Sequence, residues 1–152
     1  MWWHWIFHLA LLFLLAIFTI DGVTFLWVRR LYELCYHINR KTHGMVVLCD
    51  LDGFKSVNDT HGHPMGDRIL RRVARILRTE SRWKAFRYGG DEFSILLPFS
   101  NGEKARWLVG RIQMRVRQDP LLVEYGVHIS CGIGRYEQEA DENLYKEKNG
   151  KS

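Results

Sequence analysis

The sequence of 152 residues contains no internal repeat, no low-complexity tract and no linker rich in Pro, Gly or Ser, which excludes solenoids, propellers and loosely strung modules. Cysteine is scarce. Cys35, Cys49 and Cys131 are scattered through apolar stretches without the paired spacing of a zinc site, so core packing in a reducing compartment is expected rather than a disulfide or a metal cluster. Zinc-finger and helix-turn-helix signatures are missing too. The one basic run, Arg68, Arg71, Arg72, Arg75, Arg78 and Arg82, recurs at three- and four-residue intervals along one helix face, with no interleaved aromatic on which bases could stack. The net charge of +5 is therefore expected to mark a solvated or lipid-facing surface, and no nucleic acid partner is expected.

Charge is absent from residues 2–20, which are apolar apart from His4, His8 and Thr19. A helix apolar on every side needs lipid or a large protein core around it, and a domain this small cannot surround one. At about 1.5 Å per residue the segment is roughly 28 Å long, near the roughly 30 Å of a bilayer's hydrocarbon layer. No positive residue precedes it and no small-x-small pattern follows it, which argues against a cleaved signal peptide. Arg29 and Arg30 follow instead, so the positive-inside rule puts the rest of the chain in the cytoplasm, with Trp2, Trp3 and Trp5 at the far interface. Residues 1–20 are thus expected to form one long apolar helix spanning the inner (cytoplasmic) membrane once, an interfacial or subunit-packing helix being the other reading. Residues 21–152 are expected to form a single domain, with no room for a second.

Within that domain the pattern predicts helices over 28–40, 66–79, 101–118 and 140–148, and strands over 45–50 and 125–133. A hairpin with strands over 84–88 and 93–97 is centred on Gly89-Gly90, where positive φ angles would suit a tight turn. This order predicts an α/β (α+β) domain, a mostly antiparallel central sheet flanked by helices. Residues 45–51 read as a buried strand ending in Asp50-Leu51-Asp52-Gly53, and acids at such a strand exit sit beside the crevice where open sheets bind ligands. The turn of the hairpin presents Asp91 and Glu92. A lone strand-exit acid, or a lone Gly-Gly-Asp-Glu string, equally suits an ordinary solvated turn. Together, Asp50, Asp91 and Glu92 offer hard oxygen ligands for Mg²⁺, which takes one or two carboxylates plus substrate phosphates, so a phosphorylated substrate is expected.

Three stretches carry a family resemblance. Residues 50–59, Asp-Leu-Asp-Gly-Phe-Lys-Ser-Val-Asn-Asp, then Gly62-His63-Pro64-Met65-Gly66-Asp67, then Arg87-Tyr88-Gly89-Gly90-Asp91-Glu92-Phe93, resemble GGDEF domains, the diguanylate cyclases, in order and spacing. Ser130-Cys131-Gly132-Ile133-Gly134 is similar to the family's late strand and residues 140–148 to its last helix, so the likeness covers nearly everything after residue 20. It implies a palm-like, ferredoxin-related fold and the condensation of two GTP molecules into cyclic di-GMP with loss of two pyrophosphates, in a homodimer because each domain holds one GTP. The family's pattern would place Mg²⁺, with Mn²⁺ as a substitute, on Asp50, the Leu51 carbonyl, Asp91 and Glu92, with Asp91 the catalytic acid/base and Glu92 beside it. GTP would be held by Phe54 and Lys55 amides, Asn58, His63, Asp67, Gly89, Gly90 and Lys148. A carboxylate at Asp67 accepts from guanine N1–H and N2–H₂ together, whereas adenine presents an acceptor at N1, so GTP is expected over ATP. His63 is expected to shape the base-binding loop, not to transfer protons.

The departures from the family pattern carry expectations of their own. In the opening motif, residues 21–30, Phe25 stands for a glycine and Val28 for an asparagine, so that turn is expected to be rebuilt. The stretch between Gly134 and Ala140 is short. Many relatives bind product at an Arg-x-x-Asp that here reads Glu80 to Trp83, so no product inhibition through that site is expected. No sensory domain is expected before the domain, which would leave the apolar segment or another protein to organise the dimer. A catalytically silent GTP-binding regulatory module, and a related synthase with a different base choice, remain alternative readings.

Overall fold

A computed structural model describes Ile6, His8 and residues 19–150. Five strands, β1 Trp27–Val28, β2 Met45–Asp52, β3 Ala85–Arg87, β4 Glu92–Leu97 and β5 His128–Gly134, form one sheet in the order β1-β3-β4-β2-β5. Around it lie α1 Arg29–Lys41, α2 Phe54–His61, α3 His63–Ser81, α4 Gly102–Arg117, α5 Pro120–Glu124 and α6 Glu137–Asn149. The sheet is mixed, which corrects the expectation of a mostly antiparallel one: β1 runs parallel to β3, while β3, β4, β2 and β5 pair in antiparallel fashion. The two-residue β1 is too short to show alternation in the sequence, and its direction is set by the turn before it and the helix after it.

β2 lies in the middle and is covered on both faces, which is why its sequence reads as an unbroken apolar run. Met45, Val47, Cys49 and Leu51 join the main core with Ile69, Val73 and Leu77 of α3 and Ile112 of α4. Val46 and Leu48 point the other way, into a second cluster with Tyr32 of α1, Phe86 and Ala140 of α6. The two-residue period of a strand then puts Asp50 and Asp52 at the end of this second face, under α6. Cys49 and Cys131 face each other across β2 and β5, buried, with 3.0 Å between their sulfurs, and serve as core packing as their apolar settings suggested.

α3 starts at His63 rather than Gly66, with Pro64 in its first turn, where the missing N–H costs nothing and the fixed φ suits a helix. Its five arginines and Arg82, which follows it, do not form one free stripe. Arg72 is bound to the buried Asp119 at 2.5 Å and Arg78 lies over the Trp83 ring at 4.7 Å, leaving Arg68, Arg71, Arg75 and Arg82 exposed. Asp119 also caps α5, accepting from the Leu121 and Leu122 amides.

The opening turn is organised around Asp21. Asp21 Oδ1 accepts from the amides of Val23 and Thr24 and from the Thr24 hydroxyl, and the Phe25 N–H donates to the Asp21 carbonyl at 2.9 Å. Phe25 simply adopts the left-handed φ of +56° that a glycine would take. A left-handed phenylalanine costs roughly 1–2 kcal/mol and the extra freedom of an unfolded glycine about 0.5–1, so Phe25→Gly is expected to raise stability by about 0.5–1 kcal/mol in denaturant unfolding.

Among the described residues no helix is long and apolar enough to cross a membrane. The expected long apolar helix falls on residues 2–20, which lie outside the described residues except for Ile6, His8, Thr19 and Ile20.

Candidate active site

The sheet gathers the acids at one end. Asp50 lies opposite Glu92 on β4 and Ser130 on β5, and the Leu51 N–H donates to the Asp91 carbonyl at 3.3 Å, which ties the signature loop to the exit of β2. From the last turn of α6, the Lys148 ammonium reaches Asp50 Oδ1 at 2.6 Å. That hydrogen bond raises the Lys148 pKa against the opposing effect of its burial, with the charges of Asp50, Asp52 and Asp91 adding to it. Asp52 in turn accepts from the Ser130 hydroxyl at 2.6 Å.

These donors fit a magnesium ion. Carboxylate and carbonyl oxygens are hard ligands, and the Lys148 ammonium stands in for a cation on Asp50. Among the described residues no three His, Cys, Asp or Glu side chains form a closed metal cage. Open carboxylates and a carbonyl suit an ion that shares its shell with water and phosphate, not one sealed in protein.

The signature loop, residues 88–91, is built differently from the expected turn. Neither Gly89 nor Gly90 has a positive φ, because the loop is not a two-residue hairpin: the Tyr88 and Gly89 amides both donate to the Glu92 carbonyl, at 2.9 and 3.1 Å. A Cβ at Gly89 would lie 2.3 Å from Glu92 Oε2, so a larger residue there would displace the Glu92 carboxylate. The loop is held by Arg87. Its guanidinium donates to the carbonyls of Gly89 at 3.2 Å and Gly90 at 2.8 Å, and makes a bidentate pair with Asp21 at 2.9 and 3.0 Å. For Asp21, burial alone would push the carboxyl up; the hydrogen bonds from Thr24 and Arg87 outweigh it and hold the carboxyl below its ordinary value.

Beside the loop opens a cleft of about 470 Å³, which brings together Phe54, Lys55, Asn58, His63, Asp67, Gly90 and Asp91 with Asp59, Leu70 and Arg87. Phe54 and Lys55 open α2, an eight-residue helix too short for its periodicity to stand out in the sequence, and amides of a first helical turn have no acceptor within the helix. They are free to face an anion. Asp67 projects from the first turns of α3. Gly66 makes room for the Asn58 side chain, whose Oδ1 would be 1.9 Å from a Cβ at that position. Of the other expected residues, Asp50, Leu51, Gly89 and Glu92 frame the strand-exit side without lining this cleft, and Lys148 lines a neighbouring hollow with Asp52, Arg117 and His128.

Several supporting residues escape a reading of the sequence. Glu137, the first residue of α6, accepts hydrogen bonds from the Tyr88 hydroxyl and, at 3.3 Å, from the Tyr32 hydroxyl, and its N–H donates to the Tyr36 hydroxyl at 3.1 Å. Arg29 lies 4.4 Å over the Tyr88 ring. A tyrosine immediately before the paired glycines was the available signal; its partner 49 positions away was not. Burial, and then the bond to Glu137, pushes Tyr88 up to about 12. The folded state holds this proton more tightly than the unfolded chain, so the contribution is full below the ordinary tyrosine pKa of 10.0 and is lost as pH rises from there to about 12. Denaturant unfolding across that window should show a steeper fall in stability for the natural chain than for Tyr88→Phe.

The family model for the diguanylate cyclase GGDEF domain matches residues 19–152. The chain is 32% identical over 164 aligned residues to diguanylate cyclase A of Treponema denticola, covering 91% of this chain and 44% of that protein. It spans less than half the length of this and the other most similar curated relatives. Among solved structures it is similar to the GGDEF domain of DgcB from Caulobacter crescentus in complex with c-di-GMP, with a TM-score of 0.76, 26% identity and coverage of 87% of this chain and 91% of that one. It is also similar to the diguanylate cyclase SiaD of Pseudomonas aeruginosa in complex with its activator SiaC, with a TM-score of 0.75, 28% identity and coverage of 97% and 65%.

Proposed function

Because this chain belongs to the GGDEF family, we propose that it is a diguanylate cyclase, joining two GTP molecules into cyclic di-GMP and releasing two pyrophosphates. The observation that carries this reading is the single cleft in which Asn58 and Asp67 stand across from Asp91, with Asp50 and Leu51 adjoining through the bond from the Leu51 N–H to the Asp91 carbonyl. One side can read a base while the other meets phosphates.

Asp67 accepts from guanine N1–H and N2–H₂, and Asn58, seated against Gly66, bonds the same base edge. Once a base covers these half-buried groups, a mismatched one would be rejected by roughly 10⁴-fold, because the groups would be left unpaired. The Phe54 and Lys55 amides receive phosphate oxygens at the start of α2. Lys148, held on Asp50, contributes positive charge beside the polyphosphate. Diguanylate cyclases of this family generally depend on a divalent metal. Asp50, the Leu51 carbonyl, Asp91 and Glu92 would hold Mg²⁺ or Mn²⁺, which when bound stabilises charge on the α-phosphate during in-line displacement. Asp91 accepts the proton of the attacking 3′-hydroxyl.

One domain holds one GTP, so two copies must face each other across their clefts, most simply by a two-fold axis. Residues 2–20 are the proposed membrane anchor, with the domain in the cytoplasm. A relative crystallised with an activator protein makes an organising partner a reasonable addition. Feedback by product at Glu80 and Trp83 is not expected, since Glu80 is committed to Arg111 and Arg115 at 2.8 and 3.1 Å.

The test is incubation of the full chain with Mg²⁺ and equimolar GTP and ATP, with products identified by mass spectrometry. Cyclic di-GMP alone supports the proposal. A guanine-adenine hybrid would overturn the role of Asp67, and GTP binding without product would favour a silent regulatory module.

A further inference from the structure

The end of the sheet opposite the cleft carries a surface that the proposed cyclase chemistry does not use. There β4 runs out into Pro98 and Phe99, and β3 is preceded by Arg82, Trp83 and Lys84. Trp83 is 62% exposed, Phe99 80% and, from α4, Trp107 64%. Trp83 and Phe99 both have left-handed backbone, φ +66° and +53°, a conformation that bulky side chains disfavour. Three large exposed aromatics on one end of a small domain exceed the scattered apolar residues of an ordinary surface.

The rim around them is basic. Phe99 and Trp107 share a hollow of about 400 Å³ with Arg82, Lys84 and Lys104. Its one acid, Glu80, is 4% exposed and already bound by Arg111 and Arg115. Through Lys84 and Pro98 this hollow adjoins a second of about 400 Å³, walled by Trp27, Leu31, Ile38, Phe86 and Leu96. Trp27 is bridged to Ile20, the residue at which the apolar sequence of residues 9–18 joins the domain.

We propose that this end of the domain docks on an anionic phospholipid surface, independently of what the cleft does. Tryptophan and phenylalanine beside arginine and lysine are suited to the headgroup level of a bilayer, where apolar rings enter the acyl boundary and cations meet lipid phosphate. A second copy of the chain fits less well, because each copy would bring the same basic rim against the other and the chain carries a net +5. Nucleic acid fits less well too, since the wall of the adjoining hollow, Trp27, Leu31, Ile38, Phe86 and Leu96, is apolar and has a use in an acyl boundary but none for a sugar-phosphate backbone. Docked this way, the cleft at the far end of β2 faces away from the bilayer and stays open to nucleotide.

The test uses the full chain, reconstituted into vesicles of phosphatidylcholine alone or with phosphatidylglycerol. Hydroxyl-radical labelling is read residue by residue by mass spectrometry. Labelling of Trp83, Phe99 and Trp107 should fall in the anionic vesicles relative to the neutral ones, while that of Tyr145, 69% exposed on α6, stays level. Arg82→Glu combined with Lys84→Glu should return the three to their neutral-vesicle values. Equal labelling in both vesicles would overturn the proposal, whether or not residues 2–20 insert, because its foundation is charge. Protection in detergent without lipid would assign the face to a protein contact, and protection by added RNA but not by vesicles would assign it to nucleic acid; each defeats it.

Discussion

Asp91→Asn is expected to lower cyclic di-GMP formation by roughly a thousandfold, because placing charge against a developing phosphoryl transition state is worth several kcal/mol and about 1.4 kcal/mol is tenfold in rate. The substitution is nearly isosteric and leaves the backbone bond between the Leu51 N–H and the Asp91 carbonyl untouched, so folding should be unaffected. Asp91 is half-buried at the cleft and lies among like charges, with Asp50 and Glu92 on the neighbouring strand positions. Neutralising it relieves repulsion, and the melting temperature should stay level or rise slightly. The paired measurement matters: lost product with unchanged melting assigns Asp91 to chemistry or ion holding, whereas lost product with lost stability would assign it to the loop. Titrating Mg²⁺ or Mn²⁺ into the variant separates the first two, since a weakened ion site recovers in part at high metal concentration and a missing proton acceptor does not. Retained product would refute the assignment outright.

Arg87→Met should damage both stability and activity. The guanidinium meets Asp21 through two bonds and the Gly89 and Gly90 carbonyls through others, so its removal takes a charged donor from two carbonyls and leaves the Asp21 carboxylate with its Val23 and Thr24 bonds alone. Breaking a fully buried pair costs roughly 3–5 kcal/mol; with side chains 17% and 21% exposed, solvent screening reduces this to about 2 kcal/mol. Displacing the loop by an ångström misaligns Asp91 and is expected to cost about a hundredfold in turnover. Arg87→Lys should recover little, because a single ammonium cannot span Asp21 and the loop carbonyls as the planar fork does. The sign of the pH dependence follows from Asp21. Its carboxyl lies below the ordinary 3.8, so its contribution is full above that value and is lost as pH falls through the lowered one. Acid unfolding of Arg87→Met should therefore begin at higher pH than that of the natural chain. Identical acid transitions would show that the pair does not stabilise the loop.

The motif acids were legible because each sits where local pattern changes: Asp50 at the end of an apolar strand, Asp91 and Glu92 beside paired glycines, Asp67 in the first turns of an amphipathic helix. α2 and β1 were not legible, since eight and two residues show too little periodicity to stand out. At the loop the expected positive φ is not taken by either glycine, and a Cβ on Gly89 would instead crowd the Glu92 side chain. At Phe25 the reverse held. A non-glycine was expected to change the turn, and Phe25 takes a left-handed backbone within the hydrogen bonds of Asp21.

By itself the sequence determined the main helices, the central strand, the acids at its exit and the family to which they belong, because these rest on periodicity and on short-range spacing. Only the tertiary structure decided which partners complete the site. Asp21 meets Arg87 across 66 positions, Lys148 meets Asp50 across 98, and Tyr32 meets Glu137 across 105. Such pairs depend on which face of a strand an acid occupies and on where a helix returns over the sheet, and both are set by packing of the whole core, not by any local run of residues.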